Sequence, residues 1–215
     1  ESVTNIGVCA FEGCSRLTAI TIPENVTSIG RSAFYGCSSL TSINIPEGVT
    51  SIGYSAFSRC SSLTTFTLPE SITSIGKYAF YGCESLSAIN IPEGVTNIGE
   101  RAFMDCTGLD SITIPSSVDT LGTASFEHCA GKLILKCNIP SSEPSQNAVY
   151  GSKFTTIVVD EGVTLIGNYA FTDYQSATSI TLPESVTSIG DYSFSGCTGL
   201  TAINLHNNLT SIGEG

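Results

Sequence analysis

The chain has 215 residues, a formal net charge of −11 and only eight lysines and arginines. Nucleic-acid binding draws its affinity from clustered basic side chains, so this composition argues against a nucleic-acid partner. No apolar run reaches about 18 residues, and we therefore expect no membrane span in this segment. The 41% hydrophobic content is enough to build a large core and excludes a disordered chain.

A 23-residue period runs through most of the sequence. Phenylalanine marks the period at Phe11, Phe34, Phe57, Phe80, Phe103 and Phe126. Cysteine follows it at Cys14, Cys37, Cys60, Cys83, Cys106 and Cys129. Periods of about 20 to 50 residues are typical of solenoids, in which each unit stacks on the next. The sequence therefore predicts a repeat solenoid of about nine units, with residues 1–215 in a single domain.

The unit at residues 40–60 shows the elements that each copy repeats. Residues 40–45 alternate apolar and polar side chains and stop at Pro46, which predicts a short strand ended by a residue that cannot donate to a ladder. Residues 49–52 are a second β-branched run, which a glycine turn follows. The apolar spacing in residues 56–60 predicts one short helical turn.

The repeat loosens between about residues 130 and 153. We expect the strand of this irregular unit to keep the 23-residue spacing, with its inward residues at Leu135 and Cys137. Val149 takes the place of a phenylalanine, because it lies 23 residues after the preceding one. The Pro/Ser-rich residues 140–145 predict a surface loop.

The repeated pattern Leu-x-x-Ile-x-Ile-Pro, Val-x-x-Ile-Gly and Ala-Phe-x-x-Cys resembles the BspA-type leucine-rich repeats. The resemblance implies a leucine-rich-repeat right-handed superhelix with short parallel β-strands and short helical or 3-10 turns. It also implies a secreted or cell-surface protein of a host-associated bacterium, with adhesion or host-protein binding as its function. The asparagine that generic leucine-rich repeats place at the strand-to-turn corner is absent here, which limits the transfer.

Seven of the nine cysteines share one repeat position, where a small buried side chain is expected. We predict free, packed thiols there, because the Cβ atoms of a disulfide lie about 3.8 Å apart, which is closer than stacked units come. Cysteines 23 residues apart do not form a local zinc site. A bridge between Cys9 and Cys14 stays an alternative at this point.

A second repeat position places a carboxylate just after the proline of most units. Its members are Glu24, Glu47, Glu70, Glu93, Glu161 and Glu184. Stacked carboxylates are a candidate strip for divalent cations or for a basic partner, since calcium prefers carboxylate oxygens. The alternative is a solvated edge that keeps the solenoid soluble and discourages lateral strand pairing.

Strand alternation turns one column of small polar side chains away from the core. Its members are Thr21, Asn44, Thr67, Asn90, Thr113, Thr181 and Asn204, with Lys136 expected to interrupt the column in the irregular unit. This column, together with Tyr150 from the irregular unit, is the candidate binding surface. It offers hydrogen bonds to an extended peptide or a glycan, and the alternative is a solvated sheet face without a ligand. Several tyrosines cluster around the Ala-Phe turn, either as a binding patch or as a cover for the outer wall.

The sequence lacks the arrangements that support catalysis. Its two histidines, His128 and His206, lie more than three units apart, and its glycines are single and periodic rather than grouped in a phosphate-binding loop. We therefore expect no enzyme activity, no cofactor and no metal. The leading hypothesis is an extracellular or cell-surface binding and adhesion module for a host protein or glycan. The alternative is a structural spacer or stalk segment of a longer surface protein.

Both ends of the sequence fall inside a repeat. An uncapped solenoid end exposes its core to water. We therefore expect a part of a longer precursor, with its signal segment outside this sequence, or ends that pair with another copy, end to end or in an array.

Overall fold

The computed structural model describes residues 3–143 and 146–215, so the last two residues of the predicted Pro/Ser-rich loop lie outside the described part. Within these residues the regular structure consists of short β-strands that pair in parallel. In chain order they are β1 (Asn5–Ile6), β2 (Ala19–Ile20), β3 (Ser28–Ile29), β4 (Ser42–Ile43), β5 (Ser51–Ile52), β6 (Thr65–Thr67), β7 (Ser74–Ile75), β8 (Ala88–Asn90), β9 (Asn97–Ile98), β10 (Ser111–Ile114), β11 (Thr120–Leu121), β12 (Ala130–Leu135), β13 (Lys153–Val159), β14 (Leu165–Ile166), β15 (Ser179–Thr181), β16 (Ser188–Ile189), β17 (Ala202–Ile203) and β18 (Ser211–Ile212).

The strands form two stacks that run along the solenoid. The first strand stack contains β2, β4, β6, β8, β10, β12, β13, β15 and β17. The second strand stack contains β1, β3, β5, β7, β9, β11, β14, β16 and β18. In regular units each residue pairs with the residue 23 positions further on, as Ser51 does with Ser74. The predicted parallel β-solenoid of about nine units is therefore confirmed.

Phenylalanines from successive units stack on one another in the interior. The ring centroids of Phe34 and Phe57 lie 5.2 Å apart, and those of Phe57 and Phe80 lie 5.7 Å apart with the planes 11° from parallel. All three side chains are fully buried. Their spacing is close to the separation of hydrogen-bonded strands, about 4.8 Å, so each ring contacts the next. The inward leucines, isoleucines, valines, alanines and cysteines stack in the same way and complete one continuous core.

The cysteines are free, and those at the buried repeat position donate hydrogen bonds across units. The Sγ atom of Cys60 lies 3.2 Å from the carbonyl oxygen of Phe34, and the equivalent cysteines of the following units repeat this contact. Burial raises the pKa of Cys129 to about 12, because its thiolate would lose hydration. The Cys129 thiol therefore stays protonated and unreactive at neutral pH. Cys9 and Cys14, by contrast, are exposed free thiols.

The segment predicted as a short helical turn is a series of tight turns instead. In the second unit the amide of Ala33 donates to the carbonyl of Gly30, and the amide of Cys37 donates to the carbonyl of Phe34. Ser32, inside the first of these turns, has a φ of 54°, in the left-handed region that an α-helix excludes. The predicted helical turn is therefore wrong, because alternate amides of the segment bond to the next unit rather than to their own.

These alternate amides form three rows of hydrogen bonds between units. The N–H groups of Ser32, Phe34 and Gly36 donate to carbonyl oxygens of the following unit at 2.9, 2.9 and 2.8 Å. The same three bonds recur in the neighbouring regular units and always run from one unit to the next in chain order. We call the surface formed by residues 30–37 and their equivalents the turn wall.

The irregular unit begins its strand two residues early. β12 pairs with β10 at a spacing of 21 residues, so that Leu133 lies beside Ile112. The prediction that Leu135 and Cys137 are the two inward strand residues is therefore wrong by two positions. The cause is the connection between Cys129 and the strand, which is two residues shorter than in regular units.

Later length changes restore the period within the same unit. Three residues are missing between β12 and Ile139, which bridges to β14 in the second strand stack. Five residues are inserted between Ser142 and Ala148. The carbonyl of Ala148 accepts a hydrogen bond from the amide of Phe126 at 3.3 Å, as its equivalents do in other units. Val149 therefore stands in the phenylalanine place, as predicted.

Side-chain volumes in this region compensate one another between columns. Val149 replaces a phenylalanine, and Phe154 takes a place that leucine holds in regular units, with its ring 6.2 Å from that of Phe126. In the next unit Tyr174 stands in the cysteine place and Ala177 in the leucine place. The Tyr174 hydroxyl donates to the carbonyl of Phe154 at 2.6 Å. Close packing requires such exchanges, because voids and overpacking both destabilise a core.

We expect Val149→Phe to destabilise the chain by about 1–3 kcal/mol, because the neighbouring column already holds the additional ring. Phe154→Leu alone should also destabilise the chain, because it leaves a cavity. In the double variant the loss in free energy of unfolding should be about 1 kcal/mol smaller than the sum of the two single losses. Urea unfolding of the four proteins measures this coupling. Additive free energies of unfolding would contradict a shared volume.

We expect only Cys9 and Cys14 to react quickly with a thiol-specific disulfide reagent at mildly alkaline pH, since the other seven thiols are buried or half-buried and out of the reagent's reach. The absorbance of the released chromophore counts the reacting groups, and addition of denaturant should expose all nine cysteines. The variant with both Cys9→Ser and Cys14→Ser is the control and should lose the fast phase. A fast reaction of the core cysteines would argue against the packed column.

Candidate binding surface

The outward side of the first strand stack, here called the strand face, consists of two columns of small side chains. The first column contains Thr21, Asn44, Thr67, Asn90, Thr113, Ile134, Val158, Thr181 and Asn204. The second column contains Ala19, Ser42, Thr65, Ala88, Ser111, Lys132, Thr156, Ser179 and Ala202. All of these side chains are exposed or half-buried, so the strand face is open to solvent.

Hydroxyl groups at the edge of the strand face are already bonded, whereas those on it are free. Thr64, one residue before β6, donates through Oγ1 to the carbonyl of Thr41 at 3.3 Å, and equivalent bonds recur along the solenoid. The described part of the chain gives no hydrogen-bond partner to the side chains of Thr65, Thr67 or Asn90. The strand face therefore presents unoccupied donors and acceptors.

The irregular unit breaks this polar surface with apolar and basic side chains. Ile134 pairs with Val158, so two β-branched side chains continue the column between Thr113 and Thr181. Both are half-buried rather than covered. Lys132 adds an exposed cation to the second column. The predicted break in the polar column thus exists, but different residues form it.

Lys136, which was expected to interrupt the polar column, lies beyond the end of β12 and outside the strand face. It occupies the place that proline holds in regular units, next to Asp160. The expectation is wrong because it carried the 23-residue spacing across a strand that begins early. The sequence signal for the shift is Gly131, whose φ of 85° and close approach to the carbonyl of Asp110 accompany a bulge.

Of the predicted surface residues, the structure brings seven together and separates two. The seven are Thr21, Asn44, Thr67, Asn90, Thr113, Thr181 and Asn204, which share the first column of the strand face. Lys136 is one exception. Tyr150 is the other, because it belongs to the turn wall, in the column of Tyr35 and Tyr81.

Tyrosines and cationic side chains cover much of the turn wall. The guanidinium of Arg31 lies 4.5 Å from the ring centroid of Tyr54, so the cation faces the aromatic ring. Arg101 donates from Nη1 to the Tyr78 hydroxyl at 3.2 Å and pairs with Glu100 at 3.0 Å. The sequence shows these residues as scattered, because their contacts form only when the units stack. Tyr54 and Tyr78 therefore take part in contacts within the turn wall itself.

The remaining sequence candidates show no catalytic arrangement. Asp105 and His128 stack on the turn wall with 2.5 Å between Oδ1 and Nδ1, whereas His206 lies in the last unit. The post-proline glutamates are exposed, and one of them, Glu93, accepts a hydrogen bond from Ser116 at 3.1 Å. In residues 3–143 and 146–215, no three His, Cys, Asp or Glu side chains come together as metal ligands.

Comparison with known proteins identifies the repeat. The family described as "BspA type Leucine rich repeat region (6 copies)" matches residues 2–141 and 142–215. A leucine-rich repeat protein from T. pallidum is 25% identical, with a TM-score of 0.52 over 98% of this chain and 77% of its own. A leucine-rich repeat protein from Eubacterium ventriosum ATCC 27560 is 21% identical, with a TM-score of 0.56 over 98% and 78%. The pneumococcal vaccine antigen PcpA is 23% identical, with a TM-score of 0.57 over 98% and 64%.

No curated protein matches the sequence of this chain. The described residues form no helix of the length and apolarity that a membrane crossing needs. The likenesses to solved structures therefore establish the fold, and the match to the repeat region establishes the family.

We expect Thr64→Val to lower the free energy of unfolding by about 0.5–1 kcal/mol, because it removes the hydroxyl bond to the Thr41 carbonyl. The same substitution at Thr65 or Thr67, whose hydroxyls are free, should change stability by less than about 0.5 kcal/mol. Chemical denaturation of the three variants makes the comparison. Equal losses at all three sites would show that the hydroxyls of the strand face are also engaged.

Proposed function

Because the chain belongs to the BspA-type leucine-rich repeat family, we propose that it is a non-catalytic binding module that engages a protein partner through its strand face. We place this activity outside the cell or at the cell surface. Leucine-rich repeats serve protein binding in general, and their solenoids generally carry no catalytic site. The proposal rests on the surface chemistry of this chain as well as on the family.

The break in the strand face at the irregular unit is the observation that carries the proposal. Regular units repeat small polar side chains, which give a partner the same contacts at every step. Ile134, Val158 and Lys132 change this pattern at one place. A partner that binds the strand face can therefore align with this one place, whereas a uniform surface offers no preferred position.

A protein partner suits this patch better than a glycan does. The half-buried Ile134 and Val158 side chains gain free energy when a partner's aliphatic side chains cover them, at about 25 cal/mol for each Å² removed from water. Lys132 favours a carboxylate beside that apolar contact. The free hydroxyls and amides on either side supply hydrogen bonds around it, as a polar rim does in protein interfaces.

A structural spacer is the second candidate function, and the uniformity of the regular units favours it. Thr67 and Asn90, for example, present small uncharged side chains that repeat along the solenoid without a distinct patch. In that case the chain separates other parts of a longer protein and has no specific ligand. Self-association of the chain, end to end or in an array, stays a prediction.

We expect the wild-type chain to bind saturably to at least one member of an array of immobilised mammalian plasma and extracellular-matrix proteins. A triple variant with Lys132→Ser, Ile134→Thr and Val158→Thr restores the composition of the regular strand face. It should weaken that binding by about tenfold or more, because the distinct contacts are lost. Surface plasmon resonance measures the affinities, and thermal unfolding checks that the variant is folded.

The matched control is Lys136→Gln, which removes a charge from the same unit outside the strand face and should leave the affinity unchanged. Retained affinity in the triple variant would move the binding site to another surface. Absence of saturable binding by the wild-type chain across the whole array would favour the spacer.

A further inference from the structure

An open groove of about 460 Å³ crosses the turn wall in the units around Arg59. Ser38, Ser61 and Glu84 form one side of it, in consecutive units of a single column. Arg59 and Tyr81 form another side. The groove therefore lies on a different surface from the strand face and uses different residues.

Two neighbouring columns create this groove by alternating large and small residues in opposite order. One column runs Tyr35, Ser58, Tyr81, and the other runs Gly36, Arg59, Gly82. The small Ser58 leaves space between the two tyrosines, and the guanidinium of Arg59 fills it at 5.8 Å from each ring centroid. The glycines leave the space above and below the arginine open.

Arg59 occupies a backbone position that suits glycine better than arginine. Its φ of 60° matches those of Gly36 and Gly82, 70° and 71°, in the left-handed region that side chains disfavour. Arginine at this place therefore costs stability that glycine would not. The same conformation recurs in this column at Asp105 and His128, with φ of 61° and 64°, so the backbone shape belongs to the repeat and the arginine side chain is what distinguishes this unit.

The guanidinium of Arg59 lies near two tyrosine rings, and its donors are free among the described residues. The rings of Tyr35 and Tyr81 flank it, but no side chain of the described residues makes a hydrogen bond or ion pair with its nitrogen atoms. Arg101 on the same wall, by comparison, is paired with Glu100 and Glu127. The free fork of donors has the geometry that binds a carboxylate through two parallel hydrogen bonds.

The other groups in the groove match hydroxyl groups rather than a second anion. Glu84 and Asp105 line the same groove as Arg59. Asp105 is bonded to His128 through Oδ1, so the Glu84 carboxylate and the second oxygen of Asp105 remain to accept hydrogen bonds from hydroxyl donors. They would repel a phosphate, which carries more negative charge than a single carboxylate at neutral pH. The Ser38 and Ser61 side chains add groups that both donate and accept. Tyr81 offers a ring face of the amphipathic kind that binding sites use.

We propose that this groove binds a carboxylated sugar, such as a uronic or sialic acid unit at the end of a glycan. Arg59 holds the carboxylate, the tyrosine ring packs against the apolar face of the pyranose, and Glu84 and Asp105 accept bonds from the sugar hydroxyls. A neutral sugar would leave the arginine unpaired, and a simple carboxylate would leave the acidic acceptors unused. The site is independent of the strand face and of its protein partner.

Titration of the full chain with methyl β-glucuronide, the methyl glycoside of N-acetylneuraminic acid, methyl β-glucoside and sodium acetate tests the proposal. We expect at least one acidic sugar to bind about tenfold more tightly than both the neutral glucoside and acetate, because only it satisfies both kinds of group. Amide chemical shifts in the NMR spectrum should move at Gly36 and Gly82. Equal affinity for the glucoside or for acetate, or no binding of either acidic sugar, would overturn the proposal.

The variant Arg59→Gly gives a control that keeps the fold, because it introduces the residue that neighbouring units already have at this position. It should abolish the preference for the acidic sugar while the melting temperature stays the same or rises. Arg59→Lys keeps a charge without the planar fork and should bind with intermediate affinity. Arg31→Gln, at an arginine that packs on Tyr54 outside the groove, should leave binding unchanged. Retained preference in Arg59→Gly would overturn the assignment.

Discussion

Stacking at strand spacing is the constraint on which this molecule depends. The chain returns to the same place every 23 residues, about 4.8 Å further along, so most side chains contact copies of themselves. A column is stable only if its side chain packs against its own kind, as the rings of Phe34 and Phe57 do. Where one column departs from the pattern, its neighbours must compensate, and Val149 with Phe154 shows how a lost ring returns in the next column.

Much of the fold could be predicted from the sequence, because a strict period fixes which residues are neighbours before any local preference matters. The strands, the phenylalanine stack and the place of Val149 follow from spacing alone. The helical turn was wrong, since the left-handed φ of Ser32 and the bonds between units are not encoded in apolar spacing. Lys136 was misplaced because the irregular unit lacks two residues before its strand and three after it, and then gains five. The total length of the unit is unchanged, so the 23-residue period does not reveal the shift of the strand.

The candidate surfaces could be predicted less well, and the reason is physical. Outward alternation identifies the polar column of the strand face, but it does not show which hydroxyls are already engaged, as Thr64 is and Thr67 is not. The groove at Arg59 is invisible in any single unit, since it needs a tyrosine, a serine and a tyrosine from three successive units. Function in this architecture therefore depends on differences between units, whereas the fold depends on their sameness.

The three rows of bonds along the turn wall give that wall an electrical direction. The peptide between Ala33 and Phe34 points its carbonyl at the amide of Phe11 in the preceding unit and its own N–H at Ala56 in the next. Peptide dipoles thus align head to tail along the axis, as they do within a helix, and their fields add. The positive pole of these rows faces higher residue numbers, whereas the amide of Gly30 donates the opposite way, to Ile6 of the preceding unit, so the polarity belongs to the turn wall.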